Sequence, residues 1–167
     1  MKKNISVVGC GYWGKNLIRN FHELGVLDSI CDSDIISAQE YANQFNVKLK
    51  SFDEIKNDTK IKGVVLAVPA QLHASMAIEM MNFGKHVFVE KPLAMSETEA
   101  ENMIKVSKKN NVRLMVGHLM QFHPIFKKIL KLVNSGVLGH LNYIYSNRLS
   151  PGKVRTEEDI IWSFAPH

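Results

Sequence analysis

Gly9, Gly11 and Gly14 lie in the run Gly9-Cys10-Gly11-Tyr12-Trp13-Gly14, directly after the apolar stretch Ile5-Ser6-Val7-Val8. A segment with apolar residues at helical spacing follows at once: Leu17, Ile18, Phe21 and Leu24. A strand, a glycine turn and a helix in that order form a receptor for a pyrophosphate. Gly9 permits the tight turn, Gly11 lets the phosphates approach the backbone, and Gly14 lets the helix pack on the strand. The helix start supplies N–H donors and the positive end of its dipole. Asp32 ends a second apolar run, Leu27 to Cys31, at the distance beyond the glycines where a ribose-binding carboxylate belongs. It can accept hydrogen bonds from both adenosine ribose hydroxyls and would oppose a 2′-phosphate, so NAD is expected in preference to NADP. Ser33 leaves room for the other choice, because a small hydroxyl can also accommodate a phosphate. Asp34 is expected to cap a helix rather than to bind ligand. Tyr12 and Trp13 are expected to cover the pyrophosphate and pack the first helix.

In a doubly wound sheet, ligands lie beyond the carboxyl ends of the strands, so residues just after strands four, five and six should converge on the nicotinamide. After the fourth come Val68-Pro69 and, four residues on, His73; after the fifth, Glu90-Lys91-Pro92; after the sixth, His118, Gln121, His123 and Pro124. A lysine crowded by a desolvated pocket and a cationic nicotinamide has its charged form disfavoured, which moves it toward acid/base work. Lys91 fits that description, although a surface ion pair with Glu90 would use the same two residues.

The elements that must hold these groups alternate from the start. Strands are predicted at Ile5–Val8, Leu27–Cys31, Val47–Leu49, Gly63–Val68, His86–Val89 and Arg113–Gly117. Helices are predicted at 14–24, 37–45, after the capping box Ser51-x-x-Glu54, at 72–83, and from Ser96-x-x-Glu99 to Asn110. Six strands with crossover helices define an α/β Rossmann fold, a doubly wound parallel sheet. Beyond Gly117 the rhythm changes, with a helix over 125–133, a turn at 137–139 and strand-like alternation over 141–146. A dinucleotide-binding domain over 1–120 and the opening of a second over 121–167 are expected.

The glycine turn, Ala67-Val68-Pro69-x-x-x-His73, Glu90-Lys91-Pro92 and Gly117-His118-x-x-x-Phe122-His123-Pro124 together resemble the Gfo/Idh/MocA oxidoreductases, along the whole chain. The resemblance implies that Lys91 is the active-site lysine, hydrogen-bonded to the reacting sugar hydroxyl. It also implies that Val68, Pro69, His73 and Glu90 lie on the cofactor, with His73 capping a helix beside it. His167 stands at the histidine of the family's D-x-x-x-H signature, where it would take the hydroxyl proton; Ser163 stands where the family commonly has aspartate. Trp162-Ser-Phe-Ala-Pro-His167 resembles a subgroup of 3-dehydrogenases acting on UDP-N-acetylglucosamine and its uronic acid in surface-polysaccharide biosynthesis. On that reading Arg148, Lys153 and Arg155 would hold a diphosphate or carboxylate. His118, Gln121 and His123 would line the substrate pocket, His123 being equally open to a packed structural role. Family members continue into an α+β open-sheet domain that closes the substrate site and commonly makes a homo-oligomer interface. A chain ending at His167 would bind cofactor and turn over weakly or not at all. Two other readings remain: a dinucleotide-sensing regulatory protein without chemistry, and an NADP-linked dehydrogenase of inositol or a free sugar.

Composition bounds the rest. In 167 residues, 46% of them hydrophobic, one ordinary core can be buried. No stretch approaches the ~20 apolar residues of a membrane span, and no secretory leader is expected. The net charge of +5 comes from scattered lysines, which fits a solvated surface and a small-molecule substrate rather than nucleic acid. Two cysteines without ligand spacing imply no metal site and fit a reducing cytoplasm.

Overall fold

The computed structural model describes residues 2–147. They form two compact units, one running to Gly117 and the other from His118 onward. In the first, six parallel strands lie in the order β3-β2-β1-β4-β5-β6: β1 Ile5–Val8, β2 Leu27–Cys31, β3 Lys48–Leu49, β4 Gly63–Leu66, β5 His86–Val89 and β6 Leu114–Val116. This is the Rossmann α/β fold expected from the alternation. The strand order reverses between β1 and β4, where Val8 lies beside both Cys31 and Leu66. That reversal is the switch point at which such sheets bind ligands.

Successive residues of each strand serve opposite faces of the sheet, as the pleat requires. Val7, Ile30 and Val65 join the core beneath α1 (Gly14–Glu23) and α2 (Ile35–Phe45), with Leu17, Ile18, Ala38 and Ala42. Val8, Val64 and Leu66 join the opposite core, with Met80 and Met81 of α4 (His73–Asn82) and Met103 of α5 (Glu97–Lys109). Being buried on both faces, these strands carry continuous apolar runs. One polar pair interrupts them: Ser6 and Ser29, both fully buried, share a 2.7 Å hydrogen bond between β1 and β2.

Helix starts follow their caps. Ser51 and Glu54 complete the expected box at α3 (Phe52–Asn57), the Ser51 amide donating to Glu54 Oε2 at 2.7 Å and the Glu54 amide to Ser51 Oγ at 3.2 Å. At α5 the Glu99 amide donates to Ser96, but the Glu99 carboxylate reaches back to the amide of Met95. Asp34 caps α2 through the Ser37 amide, which starts that helix at Ile35 rather than at Ser37.

Asp58 gathers two lysines. Lys50 Nζ bonds both Asp28 at 2.7 Å and Asp58 at 2.8 Å, and the buried Lys85 Nζ donates to the carbonyls of Asp58 and Ile61. The Lys50 bond, helped by the amide of Lys60, holds the Asp58 carboxyl below its ordinary range. A carboxyl lowered by folding contributes stability that is complete above its unfolded value, near pH 4, and is lost as pH falls through the folded value. Asp58→Ala is expected to cost about 2 kcal/mol at pH 7 and to lose that difference progressively below pH 4, read by urea unfolding across pH.

The second unit contains a short 3-10 turn, Leu119–Phe122, and α6, Pro124–Asn134. The strand expected over 141–146 is absent. Residues 141–147 carry no regular structure, and Tyr143, Ile144 and Tyr145 are exposed. Alternation alone does not make a strand, because its amides and carbonyls need a neighbouring strand, and none pairs with them among the described residues. Nor is any helix among those residues long and apolar enough to cross a membrane.

Candidate active site

The glycine turn is set by backbone contacts. Gly9 has φ +98°, a conformation that L side chains rarely adopt, and a Cβ there would meet the Ala67 carbonyl of the chain leaving β4. A Cβ on Gly14 would fall on the carbonyl of Gly9. Turn, α1 and β4 therefore interlock through two hydrogen-only positions. Gly11 differs: nothing lies within 4 Å of where its Cβ would be, so the space above it is open. The start of α1 beside it has no side-chain cap and no acidic residue in its first turn. Unfilled N–H donors and an uncompensated dipole beside open space suit a pyrophosphate.

Trp13 is the residue preceding α1, half-exposed, whereas Tyr12 is 83% exposed, with Lys15 Nζ from the first turn of α1 over its ring at 5.1 Å. The expectation that Tyr12 packs the first helix is thus corrected. The buried face of α1 is made by Gly14, Leu17 and Ile18, and Tyr12 projects from the turn ahead of them.

Asp32 leaves β2 at the neighbouring strand end. Its Oδ2 accepts the Cys10 amide at 2.5 Å, and its Oδ1 accepts the Asp34 amide at 2.9 Å and the Ser33 hydroxyl at 3.3 Å. The carboxylate is half-buried and fixed in place, with lone pairs remaining for ribose hydroxyls. Two thiols flank it. Cys10 and Cys31 are buried and unpaired, and burial, then the charge of Asp32, pushes Cys10 up to about 12 and Cys31 up to about 11.

At the other end of the sheet edge, His73 is 1% exposed, with Nδ1 2.7 Å from the Pro92 carbonyl and Nε2 2.9 Å from the Val68 carbonyl. It does not cap its helix, as expected from the resemblance, but bridges the loops after β4 and β5. Both ring nitrogens are taken by backbone oxygens, which leaves the imidazole no polar atom for a cofactor. Pro69, the residue before the 3-10 turn Ala70–Leu72, is exposed, and Val68 is half-buried.

Glu90 and Lys91 follow β5, and the Lys91–Pro92 peptide is cis. Lys91 is half-buried, and its amide lies 3.3 Å from Glu90 Oε2. Glu90 is 7% exposed, and its Oε1 has no hydrogen-bond partner among the described residues. Its carboxylate rests on Gly117, where a Cβ would come within 2.9 Å of Oε1 and 3.1 Å of Oε2. A buried carboxylate oxygen without a donor is costly unless a ligand supplies one. A nicotinamide ribose hydroxyl is such a donor, so the residues here fit a dinucleotide at both ends. In the sequence Gly117 stands only as the end of the sixth strand and the first residue of the Gly117-His118-x-x-x-Phe122-His123-Pro124 motif, with no role of its own; its reason for being small is the Glu90 carboxylate beside it.

In the second unit, His118 precedes the 3-10 turn that contains the exposed Gln121. His123 caps α6, its Nδ1 accepting the Ile125 amide at 3.3 Å. Arg148, Lys153, Arg155 and His167 lie outside the described residues. No cluster of histidine, cysteine or carboxylate side chains among those described could hold a metal.

Comparison with known proteins extends the geometry. Residues 3–118 match the model of the GFO_IDH_MocA oxidoreductase family, NAD-binding Rossmann fold. An uncharacterized oxidoreductase of Streptococcus pneumoniae serotype 4 is 33% identical over 85% of this chain, and the 2,7-anhydro-N-acetylneuraminate hydratase of Escherichia coli is 30% identical over 95%. The chain spans 39% and 42% of those relatives' lengths. A protein of gentamicin A biosynthesis solved with NAD superposes with a TM-score of 0.78 at 25% identity, covering 81% of this chain and 40% of that one. Two more distant structures share the fold. A 3-ketoreductase from Actinomadura kijaniata solved with NADP and TDP-benzene has TM-score 0.75, 20% identity and coverage of 82% and 43%. The UDP-N-acetylglucosamine 3-dehydrogenase of Acidithiobacillus ferrooxidans has TM-score 0.73, 22% identity and coverage of 78% and 43%. The chain belongs to the Gfo/Idh/MocA family of NAD-binding Rossmann-fold oxidoreductases.

Proposed function

We propose that the chain binds NAD with its adenosine ribose on Asp32, its pyrophosphate over Gly11 and its nicotinamide ribose at Glu90, in the service of oxidising a sugar hydroxyl. The sugar proposed is a UDP-linked N-acetylated amino sugar or its uronic acid, oxidised at C3. The observation that carries the cofactor half is the orphaned, buried Glu90 Oε1 beside Lys91 at the end of β5. When bound, NAD supplies the hydride acceptor. Lys91 holds the substrate hydroxyl by a hydrogen bond, and His167 takes the hydroxyl proton as the hydride leaves the same carbon. The substrate half draws support from Trp162-Ser-Phe-Ala-Pro-His167 and from the acceptors that Arg148, Lys153 and Arg155 would suit.

A second reading is favoured by the E. coli hydratase, whose substrate name describes an N-acetylated sugar acid without a nucleotide and whose similarity runs along 95% of this chain. The two readings share the NAD site and part on whether UDP is recognised.

Calorimetric titration with NAD, NADH and NADPH tests the common part. NADH should bind, NADPH more weakly, and Asp32→Ala should weaken NADH on the order of 100-fold, the value of two hydrogen bonds to a charged group. Failure of all three to bind would sink the cofactor reading. Competition by UDP-N-acetylglucosamine against 2,7-anhydro-N-acetylneuraminate then separates the substrates.

A further inference from the structure

We propose that Asp34 is a specificity-determining residue of the dinucleotide site: it rejects a 2′-phosphate by filling, with its own carboxylate, the donors that would otherwise receive one. The inference rests on the placement of the adenosine ribose at Asp32.

The two helix starts nearest that ribose differ. The start of α1 has no side-chain cap, whereas the start of α2 is closed by Asp34. Asp34 Oδ1 accepts the Ser37 amide at 3.2 Å, and Oδ2 accepts the Ser37 hydroxyl at 2.7 Å. The Asp34 amide and the Ser33 hydroxyl are both turned to Asp32 Oδ1. Four donors that could grip a phosphate, on Ser33, Asp34 and Ser37, therefore already face carboxylate oxygens.

A 2′-phosphate takes the place of a hydroxyl that donates to Asp32, whose Oδ1 already accepts the amide of Asp34 at 2.9 Å. It would bring a dianion against two carboxylates and find these donors taken. A 2′-hydroxyl needs none of them, because it donates to Asp32. The Ser37 hydroxyl and amide hold the Asp34 carboxyl below its ordinary range, so the charge persists at neutral pH. The sheet itself does not make the choice, since solved proteins sharing this fold hold NAD in one case and NADP in another. The choice falls to local side chains, and Ser33 alone, which could accommodate a phosphate, is overruled by its neighbour.

The test is titration of NADH and NADPH against the unchanged chain, Asp34→Asn and Asp34→Gly, with circular dichroism to check that each is folded. Asparagine keeps the cap without the charge; glycine, itself a tolerated cap residue, frees the Ser37 donors. The ratio of NADPH to NADH affinity should rise about tenfold in Asp34→Asn, the effect of one like charge removed at short range, and further in Asp34→Gly. A ratio unchanged in both variants, with NADH still bound, overturns the proposal. Absence of NADH binding by the unchanged, folded chain overturns the Asp32 placement, and this proposal with it; that failure is recognisable because it precedes any substitution.

Discussion

Gly14→Ala is expected to abolish dinucleotide binding and to destabilise the first unit by about 3 kcal/mol or more. Helix propensity alone predicts the opposite sign, because alanine is the better helix former by about 1 kcal/mol. The contact decides. A Cβ at Gly14 would overlap the carbonyl of Gly9, which is backbone and has no rotamer to yield. Gly9 has little room to retreat either, since even a Cβ on it would fall on the Ala67 carbonyl and its φ is +98°. The substitution must lift α1 from β1, which displaces the helix start proposed to hold the pyrophosphate and opens the core around Leu17 and Ile18. Urea unfolding and NADH titration read the two effects. Gly11→Ala is the contrast: with nothing within 4 Å of its Cβ, it should unfold at the same urea concentration and lose affinity only.

Lys91→Met is the second large effect, on turnover rather than on folding. The side chain is half-buried at the end of β5, and methionine approximates its length without the ammonium. On the proposed chemistry the variant loses the hydrogen bond to the reacting hydroxyl and the proton path it supports, worth roughly 10²- to 10⁴-fold in turnover. The assay follows NADH formation from UDP-N-acetylglucosamine and NAD. A fall of less than fivefold would remove Lys91 from the chemistry. A fall in kcat/KM confined to KM would leave it as a binding group.

The glycine turn and the cap of α2 were legible in the sequence because their logic is local. Gly9, Gly11 and Gly14 act within one turn, and Asp34 caps the helix it precedes. The groups proposed for the nicotinamide end were legible only as a set of residue types. His73 was placed correctly after β4, but its partners are the carbonyls of Val68 and Pro92, and a backbone oxygen contributed by another loop leaves no mark in composition or spacing. Gly117 is the mirror case, a small residue whose reason is the carboxylate of Glu90, just beyond the adjacent strand. At Leu141 to Ser146 the alternation of side chains was real, yet the six residues form no strand. Period tells which face a residue would turn to, and a partner decides whether there is a sheet at all.

The thiols beside Asp32 have a consequence for durability. Reaction with peroxide or an electrophile proceeds through the thiolate. With Cys10 pushed up to about 12, only about one thiol in 10⁵ is ionised at neutral pH. The residue stands inside the glycine turn, where on the proposed reading a bulky adduct or a sulfenic acid would crowd the cofactor out. Burial first, and the charge of Asp32 second, suppress ionisation of both thiols, so the packing that closes the turn against β2 also protects it from oxidative damage.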